Sequence, residues 1–360
     1  MKISYLTCDM CGLRAEYPSD HRHPEHDIGG VPMNIWTPTY DLPDRLKPDE
    51  SNGAARFRDY IPFEISDTVL DDEGDTPLEE VCENVYLKDE STNPTKSFKD
   101  RGMVVMVSDA IFSGKRKIAI PSTGNAAISL GYYAERAGLE PISFIPKGTS
   151  ARKMAAIKEH SDIICDDGLV TSYEHFFDFC RAEPSVYNGF PVTNIPYNQG
   201  LKTIAYEIFL QMGRIPEFVV VPVGSGGNIV AQYTGFNDLI QMGVTDRMPR
   251  LISVQVSGAD PVNVGFVRRQ FNEVVLLDRY TESKAEAIAS DTCFNYFKIM
   301  RALDETLGEA ISITDQEIDD IEAYDSFEYS SRSVFAALRH LKQSGGNREI
   351  VLIGTAGEKN

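Results

Sequence analysis

The chain has 360 residues, of which 42% are hydrophobic and 25% are charged, a composition typical of a globular protein with a large core. Its formal net charge of -19 and its pI near 4.8 argue against nucleic acid or an anionic membrane surface as the main partner, because both repel an acidic protein. No apolar run approaches the roughly 18 residues of a membrane-spanning helix, and the N-terminus MKISYLTCDM lacks the apolar core of a signal peptide. We therefore expect a cytoplasmic protein.

The first 75 residues are rich in Pro, Asp, His and Tyr and contain no long periodic segment, so we expect an N-terminal extension that packs on the rest of the chain. Among six scattered cysteines, only Cys8 and Cys11 are closely spaced, and the stretch HRHPEH follows them. A tetrahedral zinc site would need both cysteines and two of the histidines His21, His23 and His26, with His21 and His26 as the candidate pair. Because a second cysteine pair is absent, a loop without metal is the preferred interpretation.

Beyond the extension, short apolar stretches alternate with segments of helical periodicity. The predicted strands are, in chain order, NVYLKDE, KIAIP (117–121), ISFIP (142–146), DIIC, PVTNI, FVVVPV (218–223), RLISVQV and EIVLIGT. The predicted helices are residues 100–112, AAISLGYYAERAG, ARKMAAIKEH, TSYEHFFDFCRA, GLKTIAYEIFLQMG and IVAQYTGFNDLI. This alternation predicts an α/β protein with open, twisted, mostly parallel sheets flanked by helices, arranged in two lobes.

Two loops that follow predicted strands are suited to bind anions. The loop GSGGN, residues 224–228, has glycines that let backbone N–H groups approach an anion, and the dipole of the following helix favours negative charge. It lacks the lysine of a Walker loop and the GxGxxG spacing, so a tight turn is the alternative. The loop STGN, residues 122–125, offers hydroxyl and amide groups to a carboxylate, or simply caps the next helix.

A third loop, NPTKSFKDRG at residues 93–102, concentrates positive charge in an acidic chain. Lys99 falls in the first turn of a predicted helix, where a lysine is electrostatically disfavoured, and Lys96 lies three residues before it. A solvated helix start is the structural alternative. Two anion-binding loops and one amine suit pyridoxal phosphate chemistry, which needs sites for the cofactor phosphate, for the substrate carboxylate and for a lysine that binds the cofactor covalently.

Six segments resemble the threonine synthases, which belong to the pyridoxal phosphate fold type II (tryptophan-synthase-β-like) superfamily. They cover roughly residues 74–357 and are NPTKSFKDRG, PSTGNAAISLGYYAERAG, GLKTIAYEI, VPVGSGGN, RLISVQVSGADP and VLIGTAG. The resemblance implies fold type II, with a large cofactor-binding domain of residues 76–108 and 195–360, a small domain of residues 109–194 and the N-terminal extension of residues 1–75. It also implies a homodimer and an amino-acid substrate.

The resemblance assigns roles to individual residues. Lys99 is the covalent anchor of the cofactor and a proton shuttle, and Phe98 precedes it as in the family. Asn125 matches the asparagine that hydrogen-bonds the phenolic oxygen of the cofactor, and Thr355 matches the hydroxyl that faces the pyridine nitrogen. A neutral hydroxyl leaves that nitrogen largely unprotonated, which favours elimination or replacement over transamination. The loop at the substrate carboxylate corresponds to Ser122, Thr123, Gly124 and Asn125, and the phosphate cradle to Gly224, Ser225, Gly226, Gly227 and Asn228.

The departures from the family pattern lie near the substrate. Lys96 stands where the family usually has glycine, and Tyr197 or a neighbour stands where an arginine helps to hold the substrate phosphate. The residues after Thr355 are Ala-Gly-Glu instead of Gly-His-Gly. We therefore expect Lys96 to contact an anionic group of the substrate or the nucleophile, with a solvated lysine at the pocket rim as the alternative.

A pyridoxal phosphate-dependent lyase of the threonine synthase type is the leading prediction. It would eliminate phosphate from an O-phospho amino acid, O-phosphohomoserine in threonine synthase proper, and add water or another nucleophile. The alternative enzymes are a β-replacement enzyme such as cysteate synthase, which would use O-phosphoserine and sulfite, and a hydroxyamino-acid dehydratase. A cofactor-binding protein without turnover is the alternative from another class; Lys99 and the two anion-binding loops argue against it.

Overall fold

The computed structural model describes residues 2–17, 27, 31–277, 279–343 and 348–358. The chain divides into two compact units. The first unit comprises residues 1–41, 47–75 and 93–201, and the second unit comprises residues 42–46, 76–92 and 202–360. Among the helices of the described ranges, none has the length and apolar character needed to cross a membrane.

The described residues form thirteen strands and eleven α-helices, numbered along the chain. The strands are β1 (Ile3–Cys8), β2 (Arg14–Ala15), β3 (Trp36–Tyr40), β4 (Leu78–Cys82), β5 (Val85–Asp89), β6 (Lys117–Pro121), β7 (Glu140–Pro146), β8 (Asp162–Asp166), β9 (Val186–Asn188), β10 (Phe218–Pro222), β11 (Arg250–Val256), β12 (Glu309–Ile313) and β13 (Ile350–Gly354). The helices are α1 (Lys99–Phe112), α2 (Asn125–Arg136), α3 (Ala151–Lys158), α4 (Leu169–Ala182), α5 (Ile195–Leu201), α6 (Thr203–Met212), α7 (Gly227–Gln241), α8 (Pro261–Val267), α9 (Tyr296–Glu305), α10 (Asp315–Asp319) and α11 (Tyr329–Gln343).

The first unit is built on a four-stranded parallel sheet of order β8-β7-β6-β9. Helix α1 runs through its core, and residues 103–107 of that helix are fully buried. The N-terminal residues add a three-stranded antiparallel sheet of order β2-β1-β3. Tyr17 and Tyr187 both hydrogen-bond to Asp109 of α1, so the N-terminal residues pack on the helix that begins at Lys99.

The second unit is built on a six-stranded sheet of order β12-β11-β10-β13-β5-β4, in which only β4 runs antiparallel. Every residue of β10 is buried, as expected of a β-branched apolar run at an inner position of a parallel sheet. Helix α6 is capped by Gly213, which takes the left-handed conformation that glycine adopts readily.

The predicted α/β class, with mostly parallel sheets flanked by helices, is confirmed. The predicted strand PVTNI is wrong, because Asn194 accepts a hydrogen bond from the N–H of Tyr197 and caps the start of α5; the strand of this region is β9, a few residues earlier. The predicted single helix GLKTIAYEIFLQMG is interrupted at Lys202, between α5 and α6. The predicted boundaries near residues 108 and 194 differ from the limits of the first unit, which holds residues 93–201 together, and they stay a prediction.

A buried carboxyl group attaches the segment before β4 to α2 within the first unit. The Tyr133 hydroxyl donates to Glu73 Oε2 over 3.0 Å, and the Asp71 N–H donates to the same oxygen over 2.9 Å. Glu73 Oε1 is buried and has no hydrogen-bond partner among the described residues. Burial raises the pKa of Glu73 from 4.5 to about 7, because the charged form loses its hydration.

We predict that Glu73 makes the protein less stable as the pH rises from about 5 to 8. The folded state favours the protonated carboxyl, so its stability contribution is complete below the unfolded pKa and is lost as the pH rises through the folded pKa. The unfolding free energy of Glu73→Gln minus that of the unchanged protein should increase by about 2–3 kcal/mol between pH 5 and pH 8, as measured by urea denaturation. The exposed Glu79→Gln serves as the control. An equal pH dependence in Glu73→Gln and the unchanged protein would refute this assignment.

Candidate active site

Lys99 is the first residue of α1, which begins one residue before the predicted start at residue 100 and places Lys99 in the first turn, as expected. Its side chain is partly buried, and its Nζ lies 3.8 Å from the centroid of the Phe98 ring, a cation–π contact. Phe98 itself is buried. The lysine is therefore carried by a helix that is anchored in the core, and the residue as a whole is only partly buried.

Asp100, the next residue, fixes the loop in front of Lys99. Its carboxylate is fully buried and accepts hydrogen bonds from the Thr95 N–H over 2.7 Å and from the Thr95 hydroxyl over 2.6 Å. The Ser129 hydroxyl, from α2, donates to the same carboxylate. Because α2 begins at Asn125, Asp100 links the loop of Lys96, the start of α1 and the helix behind the 122–125 loop. Sequence analysis did not single out Asp100, since its partners are set by the tertiary structure.

Lys96 has a left-handed backbone, with φ of 59°, and an exposed side chain. Its N–H donates to the carbonyl of Asn93 over 2.7 Å, which closes the turn. In this conformation, a residue with a Cβ raises the free energy of the folded state by about 1 kcal/mol. The strain explains why glycine suits this position and makes the lysine a candidate for a functional role.

The loop of residues 122–125 connects β6 to α2. Its residues are partly buried, and the Gly124 N–H faces the Ser122 hydroxyl oxygen at 3.4 Å. A Cβ added at Gly124 would meet no atom within 4 Å, so the space beside this glycine is open. The first turn of α2 leaves N–H groups without intrahelical partners. Hydroxyls, amides and open space at one helix start suit a carboxylate.

The GSGGN loop connects β10 to α7, and close packing requires two of its glycines, Gly224 and Gly226. A Cβ at Gly224 would lie 2.1 Å from the carbonyl oxygen of Ala287. Gly226 has φ of +84°, and a Cβ there would lie 2.2 Å from Ile299. Asn228 is buried, and its Nδ2 has no hydrogen-bond partner in the part of the chain that the structure describes. An unpaired buried donor at a helix N-terminus fits an anionic group such as a phosphate.

The underside of this loop is contacted by the segment before α9. Cys293 and Asn295 donate hydrogen bonds to backbone carbonyls of the loop. Neither residue was predicted to be functional, because nearly 70 residues separate them from the loop in sequence.

Thr355 directly follows β13 and is buried. Its hydroxyl lies 2.8 Å from the hydroxyl of Ser331 in α11, which also accepts a hydrogen bond from the Ala356 N–H over 2.9 Å. Ser331 thus sets the direction of the Thr355 hydroxyl, a role that sequence analysis missed.

Two further residues of the predicted site region have structural roles. Lys202 is fully buried in an ion pair with Asp238, at 2.7 Å, and burial lowers its pKa. Tyr197 packs against Gly102 of α1, where an added Cβ would lie 2.4 Å from its ring. Its buried hydroxyl has no partner among the described residues, and burial raises its pKa, so Tyr197 supplies no positive charge in place of an arginine.

The candidate zinc ligands are only partly described. Cys8 is buried and Cys11 is exposed, and neither forms a disulfide bond. His21, His23 and His26 lie outside the described residues. Within those residues, no group of three or more His, Cys, Asp or Glu side chains is arranged to hold a metal ion, and the zinc question stays a prediction.

The predicted site residues fall into two sets. The first unit holds Lys96, Phe98, Lys99 and the loop 122–125, with Asp100 linking them. The second unit holds the loop 224–228 and Thr355.

Comparisons with known proteins identify the family of this chain. A family model described as "Pyridoxal-phosphate dependent enzyme" matches residues 69–355. Threonine synthase of Mycobacterium tuberculosis is 32% identical over 284 residues, 73% of this chain and 73% of that protein. Threonine synthase of Methanosarcina acetivorans is 31% identical over 322 residues, 84% of this chain and 78% of that protein.

Solved structures share the fold. Threonine deaminase isoform 2 from Solanum lycopersicum has a TM-score of 0.68 at 19% identity and covers 89% of this chain and 96% of its own. Maize serine racemase has a TM-score of 0.68 at 20% identity and covers 79% of this chain and 88% of its own. At these identities the likeness concerns the fold alone, and it confirms the predicted fold type II.

Proposed function

This chain belongs to the family of pyridoxal-phosphate dependent enzymes, and on that premise we propose that Lys99 is the residue that anchors the cofactor. The chain is a pyridoxal phosphate-dependent lyase that resembles threonine synthase. The observation that supports Lys99 is the contrast between two lysines. Lys99 stands partly accessible at the start of α1, whereas Lys202 is fully buried and paired with Asp238. If Lys202 bound the cofactor instead of pairing with Asp238, the buried carboxylate of Asp238 would be left without a compensating charge.

The remaining cofactor contacts are proposed residue by residue. The loop 224–228 and the unpaired Nδ2 of Asn228 would hold the phosphate group. Asn125 would donate to the phenolic oxygen, and Thr355, oriented by Ser331, would face the pyridine nitrogen. The bound cofactor supplies an electron sink for a carbanion at the α-carbon of an amino acid. Phe98 would flank the anchoring amine, since its ring already contacts Lys99.

We propose that the loop 122–125 binds the substrate and that Lys99 transfers its protons. Ser122, Thr123, Gly124 and Asn125 would bind the α-carboxylate with their hydroxyl and amide groups. Lys99 Nζ would take the α-proton of the bound substrate and later return a proton to the product. We propose an O-phospho amino acid as the substrate, O-phosphohomoserine by the resemblance to threonine synthase, with phosphate as the leaving group and water as the nucleophile.

A second candidate function is favoured by the charges near Lys96. Tyr197 contributes no charge, while Lys96 adds an exposed cation three residues before Lys99. That cation would attract an anionic nucleophile. The second proposal is therefore that sulfite replaces the phosphate group at Cβ of O-phosphoserine, as in cysteate synthase.

A homodimer and a cytoplasmic location complete the proposal and rest on the resemblance and the sequence.

We predict that the purified protein loaded with pyridoxal phosphate releases inorganic phosphate from O-phosphohomoserine and forms threonine. Release from O-phosphoserine only when sulfite is present would favour the second candidate. Lys99→Ala should lower the rate at least about a hundredfold, because it removes the general base, while the exposed Lys158→Ala should leave it unchanged. Absence of phosphate release from both substrates, with and without sulfite, would contradict both candidates.

We predict that Lys96 contributes to substrate binding through its charge. One charge-assisted hydrogen bond contributes about 1.5–3 kcal/mol, so Lys96→Gly and Lys96→Gln should each raise the KM for the anionic substrate about ten- to a hundredfold. The visible absorbance of the bound cofactor should not change in either variant. Only Lys96→Gly relieves the left-handed strain, so it alone should raise the melting temperature.

Arg269→Gly is the matched control for backbone strain, because Arg269 is also an exposed cation with positive φ. It removes the same left-handed strain and should leave KM unchanged. If KM stays constant in both Lys96 variants, Lys96 is a solvated lysine with no part in substrate binding.

A further inference from the structure

The GSGGN loop is supported from one side by the segment that leads into α9. The Cys293 thiol lies 3.4 Å from the carbonyl oxygen of Gly224 and 3.4 Å from that of Ser225. Asn295 Nδ2 also donates to the Ser225 carbonyl. A Cβ added at Gly226 would lie 3.2 Å from the Cβ of Asn295, so the loop is packed against this segment as well as bonded to it.

These bonds determine where the N–H groups of the loop point. In a planar trans peptide, the C=O of one residue and the N–H of the next point in opposite directions. Holding the carbonyls of Gly224 and Ser225 against Cys293 and Asn295 therefore turns the N–H groups of Ser225 and Gly226 to the opposite face of the loop. Two N–H groups turned to one face at a helix N-terminus form an anion-binding concavity.

Cys293 and Asn295 are suited to this role by their burial. Both residues are almost inaccessible to solvent. Burial raises the pKa of the Cys293 thiol to about 12, so at neutral pH the sulfur keeps the proton that it donates to the carbonyls. A thiolate at this place would repel the two carbonyl oxygens. The segment before α9 thus presents two neutral donors to the loop.

We propose that Cys293 and Asn295 are positioning residues for the phosphate group of the cofactor. They act through the backbone of the GSGGN loop and do not touch the phosphate themselves. This inference rests on the proposed function, in which that loop holds the phosphate. It assigns a role to a segment that carries none of the motifs recognised in the sequence.

The test compares two probes on the cofactor-free protein: pyridoxal phosphate and pyridoxal, which lacks the phosphate. The dissociation constant of pyridoxal divided by that of pyridoxal phosphate, both measured by fluorescence titration, reports the contribution of the phosphate alone. Cys293→Ala and Asn295→Ala should each reduce this ratio about three- to tenfold, the effect of one neutral hydrogen bond. Cys293→Ser keeps a hydroxyl donor and should stay within about twofold of the unchanged protein. Cys82→Ala, at an exposed cysteine, should have no effect.

The outcomes separate the inference from the proposed function. If the unchanged protein prefers pyridoxal phosphate and all variants keep that preference, the positioning role is wrong and the phosphate role of the loop stands. If the unchanged protein binds both probes equally, the phosphate role of the loop is wrong as well. If an alanine variant fails to fold, Cys293→Ser decides in its place through phosphorus NMR of the bound cofactor. A phosphorus shift within the line width of the unchanged protein supports the inference, and loss of the bound-phosphate signal overturns it.

Discussion

The buried carboxylate of Asp100 is the interaction on which the geometry of the first unit depends. A carboxylate removed from water is costly unless donors surround it, and here Thr95 and Ser129 provide them. These bonds fix the loop of Lys96 to the start of α1 and fix α1 to α2. The strained backbone of Lys96 can persist because the loop is held on both sides by this network. The position of the Lys99 amine follows from the same contacts.

In the second unit, the proposed phosphate site depends on close packing and not on a buried carboxylate. It uses no charged side chain in the loop 224–228; instead, close packing at Gly224 and Gly226 admits only glycine. The sheet beneath, with β10 fully buried, provides a rigid base for the loop. Neutral donors on one face and backbone N–H groups on the other concentrate positive potential without adding a cation, which is compatible with the net charge of -19.

Much of the fold could be predicted from local patterns, because buried parallel strands are short apolar runs and their helices have clear periodicity. The strand PVTNI was wrong because a side-chain cap at Asn194 outweighed the β propensity of Val and Ile. The antiparallel N-terminal sheet was missed because β1 and β3 pair across a region without regular periodicity. Ser331, Cys293 and Asn295 were missed for a related reason: their roles depend on contacts between segments distant in sequence, which no local pattern reports. The link from Asp100 to Ser129 in α2 was missed for the same reason.

The central claim is that Lys99 anchors pyridoxal phosphate, and chemical trapping tests it most directly. Borohydride reduction of the loaded protein, followed by proteolysis and mass spectrometry, identifies the lysine that carries the reduced pyridoxyl group. The account predicts a single modified peptide, containing the sequence SFKDRG with the label on Lys99. A label on Lys96 or Lys202 with Lys99 unmodified would contradict it.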